Sequence, residues 1–247
     1  MCVYTYLYFI SLESTLQSKL SCEEQIKSCD DQVQVAEQQA FYPDFISPPD
    51  GSEHEQVVRA HNAIIEANIY SSVFKWVENK EYYNLSLSKR AEILGAHTTN
   101  QLCKSMLLEN KAFDSNLVMN DGPNDVTYAP FYMIVLQYDA AITTKKLQLE
   151  IMGLRPLGKR IDSKKFDFRQ ASEEDNARLS GFTHNAVTPF GMLENVPVIL
   201  AKAISDNENM TQFIWMGGGH VQLKVGMSVK EFVDAKQALV LDVTDPR

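Results

Sequence analysis

The sequence predicts an α+β (mixed α/β) fold, with one large, mixed and mostly antiparallel sheet surrounded by helices. Three observations point there. Short apolar runs, "QLCKSMLLE", "FYMIVLQ", "VPVIL", "QFIWM" and "HVQLKV", arrive in series and read as strands. Helical stretches with recognisable starts and stops are scattered among them. Regular strand–helix alternation, the mark of a doubly wound parallel sheet, is missing.

Taken in order, residues 12–40 lack Gly and Pro and favour helix, with Leu12, Leu16, Ile26 and Val33 forming a thin apolar stripe. "FYPDFISPPDGS" (41–52) interrupts it with three prolines and a glycine, so 1–52 reads as a helical extension plus a Pro-rich linker, and 53–247 as the main domain. "EHEQVVRAHNAIIEANI" spaces Val57, Val58, His61, Ile64 and Ile65 for a helix, with His61 a semi-buried helix residue rather than a ligand. "SVFKWV" is a short strand, and "SLSKRAEILGA" a helix closed by Gly95. "TTKKLQLEIMG" reads as a short helix. "SEEDNARLSG" opens on a capping-box arrangement, Ser172 and Asp175, and closes on Gly181. A last helix starts at Ser228, with Glu231 three residues on, and "LVLDV" is a final strand.

The chain carries a formal charge of -9, which argues against a general nucleic-acid coat. Residues 1–60 account for -7 of it. Against that background 145–169 is locally +5, through Lys145, Lys146, Arg155, Lys159, Arg160, Lys164, Lys165 and Arg169. Such a patch suits a limited stretch of phosphate. Cys2, Cys22, Cys29 and Cys103 form no C-x-x-C and have no histidine at metal-ligand spacing, so a reducing cytosol fits better than a disulfide scaffold, and no metal is expected. No run approaches the roughly 18 apolar residues of a membrane span. "MCVYTYLYFI" lacks the basic flank and cleavage site of a signal peptide. A cytoplasmic protein is expected.

Familiar catalytic patterns are missing: no G-x-S-x-G, H-E-x-x-H, Walker loop or dinucleotide fingerprint. Two stretches remain that packing alone does not explain. "GFTHNAVTPFG" (181–191) can place backbone close to a ligand: Gly181 and Asn185 tolerate positive φ, and Pro189 stiffens the exit. Such a loop can direct successive N–H groups at an oxygen. "GGGH" (217–220) lies between two strands and is therefore a hairpin turn. Lys104 sits mid-strand on the face of Leu102 and Met106, an expensive place for an ammonium unless an anion meets it.

"SLSKRAEILGAHTTNQLCKSMLL", "ASEEDNARLSGFTHNAVTPFGMLENVPVIL" and "FIWMGGGHVQLKVGMSVKEF", in that order, resemble the YbaK/prolyl-tRNA-synthetase-associated domain family, over about 57–247. Its members are free-standing aminoacyl-tRNA deacylases and inserted editing domains. The resemblance implies that Lys104, in "KSMLL", anchors the acceptor-end nucleotide or the ester. It implies that the family's G-x-x-x-G-x-x-x-P loop is Gly181, Asn185, Ala186, Val187, Thr188 and Pro189, binding the aminoacyl group and polarising its carbonyl. The glycine-rich strand end corresponds to Gly217, Gly218, Gly219 and His220. Asn185 replaces the loop's second glycine, and His184 is not a family fixture.

The implied function is hydrolysis, in trans, of the ester of mischarged tRNA, with no cofactor. Water positioned by backbone groups would attack, and Lys104 would hold the anionic end. A synthetase separates near-isosteric amino acids by only about 10–200-fold, which is why such a second sieve exists. The expected partner is the tRNA acceptor end, with Lys145, Lys146, Lys159, Arg160, Lys164 and Lys165 on its phosphates. A synthetase docked through 12–40 is a second expected partner, and no membrane contact is expected. The alternative is a catalytically idle tRNA- or synthetase-binding subunit; an unrelated small-molecule hydrolase is a third reading.

Overall fold

The computed structural model describes residues 55–77, 81–118, 125–206 and 212–246. The expected helix at 12–40 and linker at 41–52 lie outside the described residues. The described chain runs α1 (Glu55–Glu66), β1 (Val73–Trp76), α2 (Leu87–Leu94), β2 (Cys103–Asn110), β3 (Phe131–Gln137), β4 (Ala140–Ile142), α3 (Thr144–Gly153), β5 (Phe168–Gln170) and α4 (Glu173–Ser180). It continues through β6 (Val198–Ala201), the single turn α5 (Lys202–Ser205), β7 (Phe213–Gly217), β8 (Leu223–Ser228), α6 (Val229–Lys236), β9 (Leu239–Leu241) and β10 (Thr244–Pro246).

The main sheet has the order β5-β2-β3-β6-β9. Its β5–β2 and β2–β3 pairs are antiparallel, whereas β3–β6 and β6–β9 are parallel. A second, three-stranded antiparallel sheet has the order β1-β8-β7, and an isolated bridge between Leu102 and Trp215 links it to the start of β2. The mixed, mostly antiparallel architecture is the one expected. β3 is the centre: Tyr132, Met133, Ile134, Val135 and Leu136 are all 0% exposed. Buried on both faces, it needs a continuous apolar run rather than alternation, and "FYMIVLQ" supplies one.

Helix ends follow the capping residues. Ser86 accepts from the Lys89 N–H and Gly95 closes α2 at φ 73°. Ser172 accepts from the Asp175 N–H and Gly181 closes α4 at φ 68°; Ser228 accepts from the Glu231 N–H. The reading "LVLDV" as one strand is corrected: β9 ends at Leu241 beside β6, and the chain then turns to pair Thr244–Pro246 with β4.

The basic segment 145–169 is partly structural. Arg155 and Asp125, 6% and 4% exposed, are joined at 2.6 Å, and the Arg155 Nε donates to the Thr127 hydroxyl. Lys146 pairs with Asp242 and Asp245, and Lys165 with Asp114. Lys145, Lys159, Arg160 and Lys164 are exposed. Arg155→Met strands a buried carboxylate, so chemical denaturation is expected to show a loss of about 3–5 kcal/mol.

His61 is more buried than its sequence suggests, 3% exposed with its ring 5.3 Å from Phe74. Burial holds its pKa below the ordinary 6.5. The unfolded chain therefore takes up protons first, and this stability is present above about pH 6.5 and is lost as pH falls. Unfolding between pH 7 and 5 is expected to weaken the wild type more than His61→Phe.

Candidate active site

Lys104 lies in β2, opposite Leu136 of β3. Its Nζ donates to the carbonyls of Tyr138 (3.4 Å) and Ala140 (3.3 Å) and stands 5.8 Å from the Tyr138 ring centroid. These contacts, at the turn that follows β3, hold the half-buried ammonium in the wall of a cavity of about 410 Å³.

The 181–191 loop closes over the same cavity, and its shape comes from a residue the sequence gave no reason to pick. Arg59, on α1, donates from Nε to the Gly191 carbonyl (2.6 Å) and from Nη2 to the Gly181 carbonyl (2.7 Å). Its guanidinium also lies 4.8 Å from the Phe182 ring centroid. Gly181 and Gly191 both have positive φ, and a Cβ on either would fall 2.6 Å from an Arg59 atom. Between them Asn185 adopts φ 64°. Thr183 N–H is taken by the Gln56 side chain and Ala186 N–H by the Thr183 carbonyl. The N–H groups of His184, Asn185 and Val187 find no acceptor among the described residues. All three of these residues line the cavity.

The glycine turn approaches from the other side. A Cβ on Gly217 would stand 2.7 Å from the Val187 carbonyl, so only glycine lets β7 end this close to the loop. The Gly219 N–H donates to the Ala186 carbonyl at 3.2 Å, and Gly219 has φ 93°. The turn is a hairpin, as expected: β7 and β8 are antiparallel, and Gly218 and His220 both bond to Leu223.

Of the residues singled out from sequence, Lys104, Asn185, Val187 and Gly217 come together in the cavity lining, and so does His184. Gly181, Ala186, Thr188, Pro189, Gly218, Gly219 and His220 are outside that lining. Ala186, Thr188 and Pro189 are buried beneath the loop. His220 Nδ1 accepts from the Gln222 N–H, with its ring 5.3 Å from Trp76. None of Lys145, Lys146, Lys159, Arg160, Lys164 and Lys165 lines the cavity. The lining also includes the start of α4 (Ser172, Glu173, Asn176, Ala177), Tyr83 and Tyr138, and residues of β2, β5 and the loop itself. The aromatic pair went unread, because single tyrosines at a strand end and in a short turn carry no periodic signal.

Two of the lining side-chain groups that could act as nucleophiles are buried. The Cys103 thiol in the wall is buried, and that burial pushes its pKa well up, away from the reactive thiolate. The Ser105 hydroxyl is buried with no hydrogen-bond partner among the described residues. What the site offers is an ammonium, backbone amides and room for a small ester.

Residues 95–235 match the family model of the aminoacyl-tRNA editing domain. The chain belongs to this family. Among solved structures, it is similar to a candidate trans-editing enzyme for prolyl tRNA synthetase, with 16% identity over 78% of this chain and 99% of the other, at a TM-score of 0.57. It is similar too to a scaffold protein used in computational epitope backbone grafting, with 15% identity over 78% and 99% and a TM-score of 0.56. At these identities the likeness shows the fold. A search of curated proteins gives no match. The family assignment supports an aminoacyl-tRNA editing role, and no helix among the described residues is long and apolar enough to cross a membrane.

Gly217→Ala must displace the Val187 carbonyl, whereas a Cβ on Gly158 meets nothing within 4 Å. Denaturation is expected to show a cost of about 1–3 kcal/mol for Gly217→Ala, and little for Gly158→Ala.

Proposed function

We propose that the protein is an aminoacyl-tRNA deacylase that hydrolyses the ester of mischarged tRNA in trans. The observation that carries this reading is the meeting of Lys104 with His184, Asn185, Val187 and Gly217 around one cavity, in a chain of the editing-domain family. The acceptor end of tRNA is single-stranded and can be splayed into a pocket of this kind. Lys104, tethered by two carbonyls, brings a positive charge to the cavity wall for a phosphate or ribose oxygen of the terminal nucleotide. The amides of His184, Asn185 and Val187 are donors for the ester carbonyl as it becomes an oxyanion, and one such donor is worth about 10²–10³ in rate. In this reading water is the attacking group: its oxygen bonds to the carbonyl carbon, the ester C–O bond breaks, and the ribose oxygen leaves with a proton.

The exposed cations Lys145, Lys159, Arg160 and Lys164, with Lys146 and Lys165 beside them, are proposed to meet acceptor-stem phosphates. The domain is proposed to begin near residue 53, with the preceding segment an extension that docks a synthetase through 12–40. A cytoplasmic setting follows from the substrate.

The test is deacylation of alanyl-, cysteinyl-, seryl- and prolyl-tRNA by wild type and Lys104→Ala. Rapid loss of one mischarged species, reduced at least about a hundredfold by the substitution, is the expected result. Full activity in a folded Lys104→Ala protein would remove the anchor role. Intact tRNA binding with no hydrolysis of any species would favour an idle binding subunit.

A further inference from the structure

A second strand lysine stands behind the cavity wall. Lys224, on β8, is 4% exposed, in a strand where all its neighbours from Leu223 to Met227 are buried as well. Its Nζ donates to the Val221 carbonyl at 2.7 Å and to the Tyr83 hydroxyl at 2.9 Å. It lies 5.3 and 4.9 Å from the ring centroids of Tyr82 and Tyr83. The Tyr83 hydroxyl, receiving that bond, donates its own hydrogen to the Asn185 carbonyl at 2.9 Å. Tyr83 is fixed at its other end by Arg90, whose Nη2 donates to the Tyr83 carbonyl and whose guanidinium lies 5.5 Å from the ring centroid. Among the described residues no ion pair involves Lys224 or Arg90. Burial first, and Arg90 second, push the Lys224 pKa down to about 7. Either protonation form keeps enough N–H groups for both acceptors, so the arrangement does not depend on the charge.

Packing does not explain a buried amine at this position, since a methionine would fill the space without desolvating a polar group. What the amine adds is direction. With the phenol oxygen accepting from Lys224, its hydrogen is free for the carbonyl of Asn185, the one residue of the 182–190 stretch with positive φ, while the Tyr138 side chain is a further hydrogen-bonding neighbour of the same hydroxyl. We propose that Lys224 is a positioning residue of the cavity, acting through the Tyr83 hydroxyl to fix the Asn185 carbonyl and so the turn that aims the 184–187 amides. The structural half of this inference stands on the loop alone; its effect on rate rests on the deacylase reading.

The experiment compares wild type, Lys224→Met, Tyr83→Phe and the double variant. Hydrogen exchange of the Ala186 and Gly219 amides, both bonded within or to the loop, is followed in the protein without tRNA. Each single variant is expected to lower protection about tenfold, the scale of one lost hydrogen bond, and the double variant no further than the worse single one. Deacylation is expected to follow, with kcat falling about tenfold and KM moving less, because misaimed donors cost the transition state more than binding. Unchanged protection in Tyr83→Phe, or losses that add in the double variant, would overturn the coupling. If Lys224→Met does not fold, Tyr83→Phe still tests the link and can overturn it, because it removes the hydroxyl that both Lys224 and the Asn185 carbonyl meet. A wild type with no deacylase activity would defeat the proposed function and leave the exchange result to judge this inference.

Discussion

Both ends of the 181–191 loop hang on one guanidinium. Arg59 holds the carbonyls of Gly181 and Gly191 with the two sides of its planar fork, a task for which the single point charge of a lysine is poorly shaped. That arrangement fixes two residue types at once. The space a Cβ would need at positions 181 and 191 is occupied by Arg59 itself, and the backbone there is left-handed, so glycine is required on both counts. Once the ends are pinned, the intervening residues can cross the mouth of the cavity only as a short arch. Thr188, Pro189 and Phe190 fill its underside and Asn185 makes the bend at the top.

The arch is then braced from two further directions. Gly219 and Gly217 of the hairpin meet the Ala186 and Val187 carbonyls, and Tyr83 meets that of Asn185. The three consecutive carbonyls 185–187 are thus each held or closely approached from outside the loop. Because a peptide unit is planar, fixing a carbonyl fixes the following N–H. Bracing the carbonyls of 185 and 186 therefore sets the amide directions of 186 and 187.

Much of this fold was legible because its helices and long strands carry local signals. Ser172 and Ser228 announced two helices, Gly95 and Gly181 ended two, and "FYMIVLQ" read as a strand. The strands β4, β5 and β10 were not legible, since three residues take their conformation from a distant partner rather than from their own pattern. The parallel pairing of β6 with β3 and β9 is a property of the path between them, which local sequence does not encode. The site was legible where a residue broke its own pattern, as Lys104 does between apolar neighbours and Asn185 does in a loop of small residues. Lys224 hid for the converse reason: in "HVQLKV" it alternates as a solvent-facing residue should, alongside Gln222. Its burial comes from Tyr82, Tyr83 and Arg90, more than 130 residues away. Part of the charge summed over 145–169 is engaged within the fold, which a sum cannot reveal: Arg155 meets a buried carboxylate, and Lys146 and Lys165 meet surface ones.

On the proposed reading the site acts through backbone, and such a site differs from a triad in where its tuning lies. A catalytic histidine or cysteine is adjusted through its pKa, and a neighbouring charge can do that from several directions. An amide N–H has no pKa in the useful range, so its only adjustable property is where it points. Precision must then come from conformational constraint, and the constraint has a cost: an asparagine held left-handed and a lysine taken out of water are each unfavourable alone. They persist where the surrounding contacts over-determine them, which here means Arg59 at the ends of the loop, the glycine hairpin on one side and Tyr83 on the other. The family match covers 95–235, yet Arg59, Tyr83 and Arg90 all precede it. The segment from α1 through α2 is therefore part of the loop's mechanical frame, and a fragment cut to the family boundary would keep Lys104 and the loop while losing the groups that aim it.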